Sequence, residues 1–97
     1  MSDIFIWPAP LTRVVNLKED DYEVRIDRKT KWGNPYVVGR DGTREECIAK
    51  YEEWIVTQDH LMSALHELKG KRLGCWCHPH TCHGDVLARL ANAVTSH

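Results

Sequence analysis

The segment GKRLGCWCHPHTCHGDVLARL, residues 70–90, is the most informative about the fold, because it predicts a strand, a turn and a helix start in direct succession. Lys71–Cys77 predicts a strand at the centre of a sheet, and Gly70 before it suits the left-handed end of a helix. Thr81 is a suitable N-cap for a last helix over residues 82–94. A buried strand that turns into a helix is typical of an α/β domain.

The rest of the chain predicts the elements that flank this segment. Residues 13–17 form a β-branched run and residues 22–27 alternate apolar and polar side chains, so both predict strands. A capping-box sequence predicts the start of a helix over residues 44–57, and Asp59 predicts the cap of a second, short helix. We therefore expect an α/β fold whose short sheet has about three to four strands and is flanked by about three helices.

The chain has the length of one small domain. At 97 residues it is long enough to bury a single core without disulfides. Pro8 and Pro10 lack a backbone N–H, which favours an extended segment over a central strand. We predict an N-terminal extended arm over residues 1–12 and a single α/β domain over residues 13–97.

Composition narrows the class of partner and the compartment. The net charge of −1 argues against duplex nucleic acid as the main partner, because a basic face supplies most of the affinity in such proteins. The sequence contains no run with the features of a signal peptide and none long enough to span a membrane. We therefore expect a cytoplasmic protein without a membrane partner, in a compartment where thiols stay reduced.

Four tryptophans are more than a chain of this length needs for its core. Some of these rings are therefore expected at a ligand site or at a contact between copies of the chain in a homo-oligomer. Trp54 has the spacing of a buried helix face. Trp76 alternates with the cysteines on its strand, which favours a place in the core.

The start of the last helix is a candidate anion site and a candidate reactive centre. Backbone N–H groups at a helix N-terminus attract phosphate, so Thr81, His83 and Gly84 are predicted to bind an anion. The same position lowers the pKa of a thiol, which makes Cys82 a candidate nucleophile whose base is His83, or His78 or His80 across the turn. The alternative for Cys82 is a buried cysteine that packs as a small hydrophobe. Asp85 is either the orienting or acid–base partner of that pair or a helix-capping charge.

Zinc is the alternative for the same residues. Cys75, Cys77, Cys82 and His83 are the right ligand types, but their spacing departs from that of zinc fingers and ribbons. On a regular strand the Cα atoms of Cys75 and Cys77 stand about 6.6 Å apart. Two thiolates on one zinc need sulfurs about 3.8 Å apart. We therefore expect no resident cofactor, and zinc on these four ligands stays open as the alternative.

The loop around WGNP, residues 32–35, predicts the second half of the site. Arg28 suits bidentate contact with a phosphate, and Trp32 is predicted to stack on a base. Gly33 permits a tight turn and Asn34 offers an amide to a ligand. The competing interpretation is a solvated charged loop with Trp32 folded into the core.

Together, WGNP and CWCHPHTCHGDVL resemble domain-of-unknown-function family 4326, a group of small bacterial and phage proteins. The resemblance covers residues 13–93 and includes the capped helix with KYEEW. It implies that the two loops form one site. Family members commonly carry a glycine before the arginine that precedes WGNP, whereas this chain has Asp27 before Arg28, so close ligand approach there is not expected.

We expect a pocket between the WGNP loop and the CHGD helix start that binds a nucleotide-like or other phosphorylated or ribosyl ligand. Whether the domain also catalyses a reaction stays open at this point. The alternative is a non-enzymatic module that binds zinc, sequesters a nucleotide or contacts another protein.

Overall fold

The computed structural model describes residues 11–94 of the chain. Most of the arm predicted over residues 1–12 lies outside the described residues. At its end, the Thr12 hydroxyl donates to the Leu68 carbonyl at 2.8 Å, and the Thr12 amide donates to the side chain of Asn92 at 2.8 Å. These bonds attach the chain to the domain immediately before the first strand.

A parallel sheet forms the centre of the described part, which has three strands in the order β1-β3-β2. The last strand in sequence lies in the middle, as predicted, and Leu73 at its centre pairs with Val14 on one side and Val24 on the other. The strands are β1 (Arg13–Asn16), β2 (Val24–Arg25) and β3 (Arg72–Cys75).

Three α-helices and one short 3₁₀ helix complete the α/β domain within residues 11–94. The capping box predicted for the first helix is present, since the Thr43 side chain and Glu46 satisfy each other's backbone N–H groups. The α-helices are α1 (Arg44–Ile55), α2 (Asp59–Ser63) and α3 (His83–Ala93), and the 3₁₀ helix covers Leu65–Leu68. None of these helices is long and apolar enough to cross a membrane.

All three strands are shorter than predicted, β1 by one residue and β2 and β3 by more. The chain turns immediately after β2, where the Asp27 carbonyl accepts from the Thr30 amide at 3.0 Å. It turns again after β3, where the Cys77 carbonyl accepts from the His80 amide at 2.7 Å. In both segments the pattern of apolar residues continues beyond the last residue that is paired in the sheet. The pattern therefore predicts strands that are too long.

Two predicted helix caps are also wrong. Gln58, and not Asp59, is the residue before α2, and its side chain makes no capping bond. Cys82, and not Thr81, is the N-cap of α3, because its sulfur accepts from the Gly84 amide. A sulfur is an unusual cap acceptor, so a rule based on oxygen side chains misses it.

The core lies between the sheet and the helices. α3 packs against β1, β3 and α1, and it buries Val86, Leu87 and Ala91. Since all strands are parallel, their carboxyl ends share one edge of the sheet, where ligands bind in folds of this kind. Two segments start from that edge: the β2 loop (residues 26–42) and the β3 loop (residues 76–82).

Candidate functional site

A cavity of about 310 Å³ lies at the carboxyl edge of the sheet, between the β2 loop, the β3 loop and α1. Its lining includes four residues predicted for the site, Arg28, Asn34, Cys82 and His83. The surface inside it is mainly apolar. A concave apolar site with a few polar groups is the usual form of a small-molecule site.

The predicted stacking role of Trp32 is wrong, because its side chain belongs to the hydrophobic core and is only 2% exposed. The Tyr51 hydroxyl donates to the Trp32 carbonyl at 2.7 Å and holds this part of the loop against α1. Gly33 also serves packing: a Cβ atom there would stand 2.6 Å from the Cα atom of Arg28. The WG pair therefore fixes the loop and does not line the cavity.

Asn34 is buried and lines the cavity, and half of the hydrogen-bonding capacity of its amide is already used. Its oxygen accepts from the Tyr36 amide at 2.8 Å and its nitrogen donates to the Cys47 carbonyl at 3.3 Å. A side-chain amide has two N–H donors and two acceptor positions, so one donor and one acceptor position remain.

The exposed aromatic ring of the site is Trp76, which was expected in the core. Its side chain is 50% exposed, lines the cavity and lies beneath the guanidinium of Arg25, 5.9 Å from the ring centroid. Its indole N–H donates to Asp27 at 3.0 Å. Trp76 follows the last residue of β3, so strand alternation no longer determines its direction.

Asp27 is a buried carboxylate at the cavity that sequence reasoning did not assign to the site. Arg25 donates two hydrogen bonds to one of its oxygens, at 2.7 and 2.9 Å. These bonds, with that from Trp76, hold the pKa of Asp27 below its usual value against the effect of burial. The pairing of Arg25 with Asp27 could have been predicted from the sequence. Two residues that are two positions apart on a strand face the same side of the sheet.

The sulfurs of Cys75, Cys77 and Cys82 all lie within 4.8 Å of one another. Those of Cys75 and Cys82 are 3.4 Å apart. The expectation that Cys75 and Cys77 lie on one regular strand is wrong, because β3 ends at Cys75 and Cys77 lies in the turn.

The three thiols differ in their affinity for a proton. The hydrogen bond from Cys82 lowers the pKa of Cys75, against burial. The same bond and burial raise the pKa of Cys82. The pKa of Cys77 is raised, mainly by burial and secondly by the charge of Cys75. Arg44 acts in the opposite direction and lowers it. The prediction of a lowered pKa at Cys82 is therefore wrong, since Cys82 donates its proton toward Cys75.

His83 is buried at the first position of α3, with its ring edge-on to Tyr51 at a centroid distance of 5.1 Å. Its Nε2 lies 2.7 Å from the carbonyl oxygen of Ile26. A carbonyl oxygen only accepts, so Nε2 carries the proton and Nδ1 is left for other contacts. Within the described residues, the converging metal-ligand group consists of the three cysteines and does not include His83.

The start of α3 is capped by its own side chains. Asp85 accepts from the Cys82 amide at 3.0 Å, so of its two considered roles the capping one is present. The space beside Gly84 is filled by the side chains of Ile26 and Val14, because a Cβ atom there would stand 2.7 and 3.0 Å from them. Thr81 is exposed and its carbonyl accepts from Arg44 at 3.3 Å. None of Thr81, Gly84 and Asp85 lines the described cavity.

Three cationic side chains contribute to the cavity lining: Arg28, Lys29 and Arg44. Arg28 donates to the Tyr36 carbonyl at 3.0 Å, which orients its guanidinium across the β2 loop. Arg44 was not predicted as a site residue, because it opens α1 in the sequence and its distance from the β3 loop is set only by the fold.

Comparison with known proteins places the chain in a family. The sequence profile described as domain of unknown function 4326 matches residues 11–93. An uncharacterised 12.4 kDa protein of Enterobacteria phage T4 is 40% identical over 89 residues, which cover 87% of this chain and 81% of the phage protein. An uncharacterised protein of Acanthamoeba polyphaga mimivirus is 36% identical over 73 residues, 67% of this chain and 55% of that protein. No solved structure matches. The resemblance predicted from the two motifs is confirmed, and the chain belongs to the domain-of-unknown-function 4326 family.

Proposed function

We propose that this domain binds a small nucleotide-like ligand, carrying phosphate or ribose groups, in the cavity between the β2 and β3 loops. The observation that carries the proposal is the lining itself: three cations, Arg28, Lys29 and Arg44, around a mainly apolar interior. Cations in a concave site attract phosphate, and the apolar interior suits a base. The ligand is expected in the cytoplasm, where the cysteines stay reduced.

Trp76 takes the stacking role that the sequence suggested for Trp32. Its half-exposed ring borders the cavity, and its indole N–H is held by Asp27, so the ring is oriented before a ligand arrives. Stacking on an aromatic ring contributes about 1–3 kcal/mol per base. The second oxygen of Asp27 accepts only a longer bond, from the Lys29 amide at 3.3 Å, which leaves it suited to a ribose hydroxyl.

The proposal is one of binding rather than of nucleophilic catalysis. Cys82 is 3% exposed and donates toward Cys75, which is 2% exposed. A nucleophile needs both thiolate character and access. Neither Cys75 nor Cys82 has both properties, although the sequence predicted both for Cys82.

The test is thermal unfolding of the purified protein against a panel of nucleotides, nucleosides and ADP-ribose. A ligand at one hundred times its Kd adds about 2.7 kcal/mol, a shift of several degrees for a domain of this size. The shift is expected to fall in Arg28→Gln and Trp76→Leu. Arg89→Gln is the matched control, because Arg89 pairs with Glu52 outside the cavity. A panel without any shift, or a shift equal in all variants, contradicts the proposal.

A further inference from the structure

The three sulfurs of the β3 region come from three different local structures. Cys75 ends β3, Cys77 lies in the turn and Cys82 caps α3. Their convergence within 4.8 Å approaches what a metal requires, since thiolates on one zinc stand about 3.8 Å apart.

Cys47 shows what an ordinary core cysteine looks like in the same chain. It is 1% exposed and also borders the cavity, but its sulfur is directed at the Gly42 carbonyl at 3.8 Å. Packing as a small hydrophobe explains Cys47. Hydrophobic packing does not explain why the sulfurs of Cys75, Cys77 and Cys82 lie so close together. It also does not explain why the Gly84 amide donates to the Cys82 sulfur at 3.3 Å.

We propose that Cys75, Cys77 and Cys82 bind one zinc ion through three thiolates, with the fourth coordination position open to the cavity. Among residues 11–94, no histidine, aspartate or glutamate joins the group as a fourth ligand. All three cysteines line the cavity, so the remaining position faces it. Zinc sites with three protein ligands and an open position bind water or an exogenous ligand there.

The surroundings favour the net charge of −1 that three thiolates and Zn²⁺ would carry. Arg44 lies beside Cys77 and the positive end of the α3 dipole lies at Cys82. The amide of Gly84 bonds to a sulfur, as outer-shell donors do around metal-bound thiolates. The metal site goes beyond the proposed ligand and does not depend on it, because it is tested with metal ions alone.

The first experiment is metal analysis of the whole protein, purified under reducing conditions and supplied with zinc. One zinc per chain is expected. Cobalt in its place should give thiolate charge-transfer absorption and tetrahedral ligand-field bands. A chain without stoichiometric metal, or with a Cys75–Cys82 disulfide that persists under these conditions, overturns the proposal. Neither measurement needs a variant, so a variant that fails to fold does not affect the result.

Substitutions then identify the ligands. Each of Cys75→Ser, Cys77→Ser and Cys82→Ser should weaken zinc binding by at least about 100-fold, beyond the usual cost of losing an outer-shell partner. Cys47→Ser is the matched control and should keep one zinc. Equal loss in Cys47→Ser contradicts the assignment.

The open position has its own test. Azide added to the cobalt form should shift the ligand-field bands, because it occupies the fourth position. His83→Gln should keep the metal, since the Nε2 atom of His83 is bonded to Ile26. Loss of metal in His83→Gln, or a spectrum that azide does not change, overturns the open site.

Discussion

The β2 loop and the β3 loop start from the same edge of the sheet but use their tryptophans in opposite ways. In the β2 loop Trp32 is 2% exposed and packs in the core. In the β3 loop Trp76 is 50% exposed and borders the cavity. Trp32 and Gly33 therefore hold the β2 loop in place by packing, whereas Trp76 presents its ring to the cavity.

The largest expected effect follows from that contrast. Trp32→Ala should destabilise the protein by about 3–5 kcal/mol, since it empties a large core position. Trp76→Ala should cost about 1 kcal/mol, mainly through the lost hydrogen bond to Asp27. Urea unfolding of both variants measures the difference. Similar losses in the two variants would show that the loops do not divide the roles in this way.

Two glycines sharpen the comparison. Gly33→Ala should cost about 2–3 kcal/mol, because the new Cβ meets the backbone of Arg28 at 2.6 Å and backbone yields little. Gly84→Ala should cost less, about 1–2 kcal/mol, because its contacts at 2.7 and 3.0 Å are the side-chain ends of Ile26 and Val14, which yield more than backbone does. Unfolding curves for both variants test this order, and the reverse order would place the tighter packing in α3.

The cap of α3 gives a smaller effect. Asp85→Ala should lower the free energy of unfolding by about 1 kcal/mol. The partly buried backbone amide of Cys82 would lose its hydrogen-bond acceptor. Asp85→Asn should recover part of the loss. If Asp85→Ala abolished ligand binding without changing stability, Asp85 would have the acid–base or orienting role instead.

The smallest effect is a pH dependence at Asp27. Its pKa is lowered in the folded protein by Arg25, so its contribution to stability is complete above the ordinary aspartate pKa of about 3.9. It is lost as the pH falls from there through the lowered value. Asp27→Asn should therefore flatten the acid limb of the stability profile, and Asp21→Asn, on an exposed aspartate, should not.

Much of the fold could be predicted from the sequence. The central place of β3, the capping box at Thr43 and the left-handed Gly70 all follow from local chemistry and are present. Strand ends could not be predicted, because Tyr22–Asp27 keeps its alternation past the last paired residue of β2. Local pattern does not encode where a neighbouring strand stops.

The position of the cavity was predictable from the sequence, but the residues that line it were predictable only in part. The carboxyl edge, Arg28 and the cysteine segment followed from topology and residue type. That Trp76, and not Trp32, borders the cavity could not be predicted. Which ring faces the cavity depends on how each turn directs its side chains. The meeting of Cys75 with Cys77 required a strand that ends between them, and Arg44 is brought near by the fold alone.

In the site that we propose, the two loops bind one ligand together, and Trp76, rather than Trp32, contacts it. A two-dimensional ¹H–¹⁵N spectrum titrated with the panel compound of largest thermal shift tests it most directly. We expect the indole signal of Trp76 and the amide signals of Arg28 and Cys82 to shift together with one Kd, while the indole signal of Trp32 does not shift. Movement of the Trp32 indole without Trp76, or of one loop alone, would contradict it.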